Sequence, residues 1–210
     1  MRYTVEQASV DLELRAKRGQ FKGKLGRVEG TIDVDPIHLE RTRARLTADL
    51  ESLSLEAGGE EDTALLSRAF DWLEIGDLRA GADRARNRYA VLNIRALEQP
   101  TRADEVRGQR RTARGIAQGD LTLHHFRVPL TLELDIEFRA VDGRVADALV
   151  IRTRRPFVVS LAAHDILPRD ARGRLISSPF SALGPEVVRD ARVTAELRAR
   201  ATPASATLNP

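Results

Sequence analysis

Gly119-Asp120-Leu121-Thr122-Leu123-His124-His125-Phe126-Arg127-Val128-Pro129-Leu130-Thr131-Leu132-Glu133-Leu134-Asp135-Ile136-Glu137-Phe138 reads as a strand, a turn and a long amphipathic strand. Leu130, Leu132, Leu134, Ile136 and Phe138 alternate with Thr131, Glu133, Asp135 and Glu137. A period of two sends the apolar groups to one face and the charges to the other, as in a strand with one face on a core and one in water. Working outward, Val10, Leu12 and Leu14 alternate with Asp11, Glu13 and Arg15, and Val28, Ile32 and Val34 with Glu29, Thr31 and Asp33. Both fit half-buried antiparallel strands, and Gly30, in the inward phase, fits a barrel corner. Between Thr42 and Leu55 the phase changes from Leu46, Ala48 and Leu50 to Leu53 and Leu55, which predicts a β-bulge near Glu51 and Ser52.

The period becomes helical between Glu60 and Leu73, where Leu65, Leu66, Ala69, Phe70 and Leu73 share a stripe behind Glu60, Glu61 and Asp62. Such a helix has to bury its stripe against the sheet, and an open barrel end is where it would fit. Further strands are predicted at Arg88 to Leu97, Arg111 to Leu123, Val145 to Arg154, Pro156 to Ala162 and Glu186 to Ala199. The expected fold is mainly β, an antiparallel barrel of about eight strands with one or two short helices covering an end. One domain is expected over residues 1–203, with 204–210 as a flexible tail.

Composition narrows the functions. The formal net charge is only +3, from 34 Lys+Arg against 31 Asp+Glu, and the signs alternate along the strands. Lys17, Lys22 and Lys24 are the only lysines, so arginine accounts for the pI of about 9.8 without a basic binding face. Aromatic residues are 4%, too few for base stacking, and nucleic acid is not an expected partner. There are no cysteines, and no apolar run long enough to span a bilayer. As written, the sequence shows no leader, so a cytoplasmic location is expected, or a periplasmic one if a leader was removed.

Four segments resemble the YceI-like family. Tyr3 to Val10 looks like its opening strand, and Gly23-Lys24-Leu25 with Gly30-Thr31-Ile32 resembles its Gly-x-Phe and Gly-x-Ile steps. Ser52-Leu53, Asp62, Leu65, Ser67 and Phe70 match its Ser-Ile pair and Asp-x-x-Leu-x-Ser-x-x-Phe helix. Gly119 to Leu132 is similar to its hairpin, Gly-Asp-Leu-Thr-Ile-His-Gly-Val-Thr-Lys-Pro-Val, with Pro129 in register and His125 in place of the turn glycine. Ile75 to Arg88 and Leu167 to Pro185 read as insertions. The resemblance implies a lipocalin-like barrel of bacterial type that transports or stores a polyisoprenoid or quinone lipid and is not an enzyme.

On that reading Leu12, Ile32, Leu46, Phe70, Leu92, Ile94, Leu132, Leu134 and Ile136 line the ligand tunnel. Trp72 either meets the headgroup or anchors the helix, and Arg110, Arg111 and Arg114, in a cluster with Arg102 and Arg107, could hold an anionic headgroup or lie solvated. No catalytic residue, metal ligand or cofactor is expected, since adjacent His124 and His125 suit a turn and no nucleophile motif occurs. Two alternatives remain: a filled barrel acting as an interaction module, and a metal-dependent hydrolase using His164, Asp165 and a mouth arginine. A homodimer is left open by the sequence.

Overall fold

Residues 1–16, 19–35, 37–78, 81–106, 110–141, 144–176 and 189–202 are described by the computed structural model. Their strands are β1 (Arg2–Ala16), β2 (Gly19–Leu25), β3 (Val28–Asp33), β4 (Arg43–Asp49), β5 (Leu53–Ala57), β6 (Glu60–Glu61), β7 (Tyr89–Val106), β8 (Arg110–Leu123), β9 (Phe126–Val141), β10 (Arg144–Thr153), β11 (Phe157–Ser160) and β12 (Asp190–Ala201). Two helices, α1 (Thr63–Trp72) and α2 (Ala82–Asn87), lie between β6 and β7. β1, β3, β4, β7, β8, β9, β10 and β12 form a closed ring, every neighbour antiparallel. β12 closes it on β1, from Tyr3 opposite Ala201 to Leu14 opposite Ala191.

The alternation in β9 is what turns a sheet of this length into a barrel wall. Leu132, Leu134, Ile136 and Phe138 are buried. Glu133, Asp135 and Glu137 stand on the other face among arginines, with Arg114 Nε of β8 3.0 Å from Asp135 and Arg139 Nε, two residues along β9, donating to Glu137 Oε1 at 2.8 Å. Leu123 pairs with Phe126, so His124 and His125 alone make the turn of the decisive hairpin, at φ of 48° and 70°. Two left-handed residues are what a tight hairpin turn requires.

One end of the ring is remodelled by two kinks. β2 and β3 run the same way along one edge of β1, joined through Gly26 and Arg27 as a single bent strand. β4 and β5 bend likewise through a 3-10 turn at Leu50–Ser52. The sequence predicts a bulge there; the structure inserts a whole turn, because Asp49 caps it and is held from three sides. Arg88 donates to its carboxylate at 2.9 and 2.6 Å, Arg27 at 2.9 Å and the Glu51 N–H at 3.1 Å. Past the bend β5 pairs with β2 and β6, while β7 stays with β4. The chain then enters α1, whose first free N–H groups are met by Asp62, accepting from Leu65 N at 2.8 Å.

Gly30 sits where β3 crosses β4 with φ of 149°, and a Cβ there would collide with the carbonyl of Arg45. The segment 75–88, an insertion by sequence, contains α2. The predicted strand at Pro156 to Ala162 is shorter, Phe157–Ser160, and gives way to a 3-10 turn at Ala162–His164. Residues 177–185 of the second insertion, the tail 204–210, Arg107 and the side chain of Arg102 lie outside the described residues.

Candidate functional site: the barrel interior

The inward phases of the ring do not fill it. They surround a cavity of about 390 Å³, within the range of sites that hold small molecules. The reason lies in which side chains share the inward phase: Ala44 and Ala48 on β4, Ala90 on β7, Ala117 on β8, and Ala191 and Ala195 on β12 all line it. Each places a methyl where a leucine would reach the axis, and the larger aliphatics around them hold the walls apart. Of the expected lining residues, Leu12, Ile32, Leu46, Leu92, Ile94, Leu132, Leu134 and Ile136 all face this space. Phe70 does not; it packs in the cluster of Leu25, Leu50, Ile75 and Val193. The helix stripe turns Leu65, Ala69 and Trp72 to the cavity instead.

Four lining residues other than Trp72 carry a polar side-chain group: Thr42, Asp62, Arg68 and Thr153. Asp62 and the exposed Arg68 belong to the start and outer part of α1, so the polar rim is at the remodelled end. Thr153 accepts from Ala195 N at 3.0 Å. Thr42 lies at the other end, just before β4, in phase with Ala44 and Leu46. There the buried Tyr3 and Leu149 pack in one cluster with the lining residues Ile32, Ile94 and Leu97, and the Tyr3 hydroxyl donates to Ala146 O at 2.7 Å. Sequence reasoning passed over Thr42, Asp62 and Arg68, although the spacing of Thr42 to Ala44, Leu46 and Ala48 was signal enough for its orientation.

The arginines of the expected headgroup site lie elsewhere. Arg110, Arg111 and Arg114 are on β8, exposed, and none lines the cavity. Arg114 pairs with Asp135, and Arg110 Nε is 3.5 Å from Glu137. Arg110 and Arg114 take the outward phase of β8, since the inward one belongs to Ala113, Gly115 and Ala117; Arg111 shares that inward phase but stands at the start of the strand, opposite Phe138, where it is exposed.

A buried polar cluster sits beside the hairpin tip. His124 Nδ1 donates to His164 O at 3.2 Å and Nε2 lies 3.0 Å from Glu74 Oε2. His164 Nδ1 donates to Phe126 O at 3.0 Å, and burial lowers its imidazole pKa against the opposing pull of the Phe126 and Leu123 backbone. Asp165 accepts from Arg169 at 2.8 Å. These contacts tie the hairpin, the segment after α1 and the loop after β11 together. Among the described residues no three His, Asp or Glu side chains are grouped to hold a metal ion, and no helix is long and apolar enough to cross a membrane.

Solved structures share this architecture. A polyisoprenoid binding domain from Saccharophagus degradans implicated in plant cell wall breakdown superposes with a TM-score of 0.59 at 13% identity, covering 95% of this chain and 98% of that one. BcnA of Burkholderia cenocepacia gives 0.58 at 14%, covering 93% and 96%, and a mutant CJ YceI protein 0.52 at 14%, covering 86% and 84%. The chain has the YceI-like, lipocalin-type barrel fold. No family model and no curated protein matches its sequence.

Proposed function

We propose that the protein is a non-enzymatic carrier or store for one long hydrophobic lipid of isoprenoid or quinone type, with the chain inside the barrel. The observation that carries this reading is the hollow aliphatic interior: about 390 Å³ walled by leucine, isoleucine, valine and alanine, with polar side chains at few points. Its polar side chains stand singly in the wall or at the rim, and the continuous aliphatic walls suit a hydrocarbon. About ten methylene-sized groups leaving water contribute about 8 kcal/mol before ordering costs, the scale of micromolar binding. The three structural relatives include a polyisoprenoid binding domain, which supports an isoprenoid over a short fatty chain.

Arg68, Asp62 and Trp72 at the rim are the headgroup contacts on this reading. An indole presents an apolar body to the chain and an N–H to the wet end. Solvent extraction of the purified protein followed by mass spectrometry tests the proposal: a prenyl or quinone lipid at about one per chain is expected. Extracts without lipid, together with no uptake of added polyprenol or ubiquinone, would overturn it.

A further inference from the structure

Thr42 is 5% exposed, and among the described residues its Oγ1 has no hydrogen-bond partner. Its backbone N–H closes the 3-10 turn on Leu39 O at 3.0 Å, which fixes the residue and leaves the hydroxyl to the cavity. The strand register sets Ala44, two residues on, between Ile32 and Ile94, all three lining the cavity, and the charged lining residues, Asp62 and Arg68, belong to the α1 end. β4 runs from here to the bend at Asp49, seven residues of strand or roughly 20 Å, so this hydroxyl is far from the rim at α1. A stranded buried hydroxyl is costly, and native proteins seldom keep one without a use.

We infer that Thr42 is a specificity-determining residue: it hydrogen-bonds an uncharged polar atom, a hydroxyl or carbonyl, at the inner terminus of the bound lipid. The inference rests on the lipid-binding reading and deepens it: the ligand carries a second polar atom, on the end of its chain away from the headgroup contacts at Arg68, Asp62 and Trp72. The aliphatic surroundings exclude a charged terminus, which would be desolvated with no countercharge. A bare hydrocarbon terminus would fit the space and leave the hydroxyl unsatisfied.

The test compares 1-decanol with decane on the wild-type protein, Thr42→Val and Thr42→Ser. The emission of Trp72, the one tryptophan of the chain and a lining residue, reports binding, and native mass spectrometry counts adducts. The wild type is expected to prefer decanol by about tenfold, the effect of one good buried hydrogen bond. Thr42→Val, which keeps the shape, should bring the two within about twofold by weakening decanol alone, and Thr42→Ser should restore the preference. An equal preference in wild type and Thr42→Val would place the alcohol elsewhere, at Arg68 or Asp62, and overturn the inference while leaving lipid binding intact. No preference in the wild type would overturn it as well. No binding of either probe by a protein that takes up polyprenol would overturn the inference too, whereas failure to take up polyprenol as well would remove the lipid reading itself.

Discussion

A hydroxyl shut away among aliphatic side chains is harder to tolerate than the methyl that would replace it. Thr42→Val is therefore expected to stabilise the ligand-free protein by about 1 kcal/mol or more, read from chemical denaturation; a destabilisation would mean the hydroxyl has a partner. Gly30 is the opposite kind of site. With φ of 149° and the Arg45 carbonyl against it, Gly30→Ala should cost about 2 kcal/mol or more, where an ordinary strand glycine would gain from a side chain. Charges on the outer wall matter less. Arg114 and Asp135 are largely exposed, so Arg114→Ala should change stability by less than about 1 kcal/mol and leave lipid uptake unchanged, whereas Arg68→Ala at the rim should weaken uptake. At this scale the sequence is legible where orientation follows from phase, as for Leu132 or Ile94. It is silent on which of many arginines reaches a cavity mouth, because that depends on how the ring closes.

The bend between β4 and β5 is the element on which the open end depends. Asp49 is almost fully buried, and the Arg88 hydrogen bonds, with the Glu51 N–H and the charges of Arg88 and Arg27, hold its carboxyl below the usual carboxylate range. Asp49→Asn keeps the size but removes the charge, and should cost about 2–3 kcal/mol, discounted from a fully buried pair because both arginines reach solvent. The stabilisation from Asp49 is present above the unfolded carboxylate pKa and is lost as pH falls through the lowered folded value. His164 acts in the same direction at higher pH. Its folded imidazole resists protonation, so the unfolded chain binds the proton first and stability declines as pH falls below about 6.5. Thermal midpoints between pH 8 and pH 5 should show that decline, and an NMR titration should find the His164 ring protonating below an exposed histidine. The phase change at Glu51 and Ser52 was visible in the sequence. That it is a turn rather than a bulge follows from the capping carboxylate and two arginines distant in the chain, which no local pattern contains.

For the whole molecule, strand alternation and the matched hairpin made the barrel readable, because closure needs only inward and outward phases that agree from strand to strand. Whether the ring is hollow was not readable, since an eight-stranded barrel can be filled or can hold a ligand. The inward alanines at 44, 48, 90, 117, 191 and 195 tip the balance, and only once their opposition across the ring is known do they add up to a space. Filling it is the natural perturbation: Ala48→Phe, at a lining alanine that is only half-buried, should leave the barrel folded and abolish uptake of a prenyl lipid. Native mass spectrometry of the purified protein before and after incubation with a polyprenol asks whether this space holds one lipid chain. A single adduct of one lipid per chain is expected, lost in Ala48→Phe; a wild-type protein that stays free of adduct throughout would mean that the space holds no lipid chain.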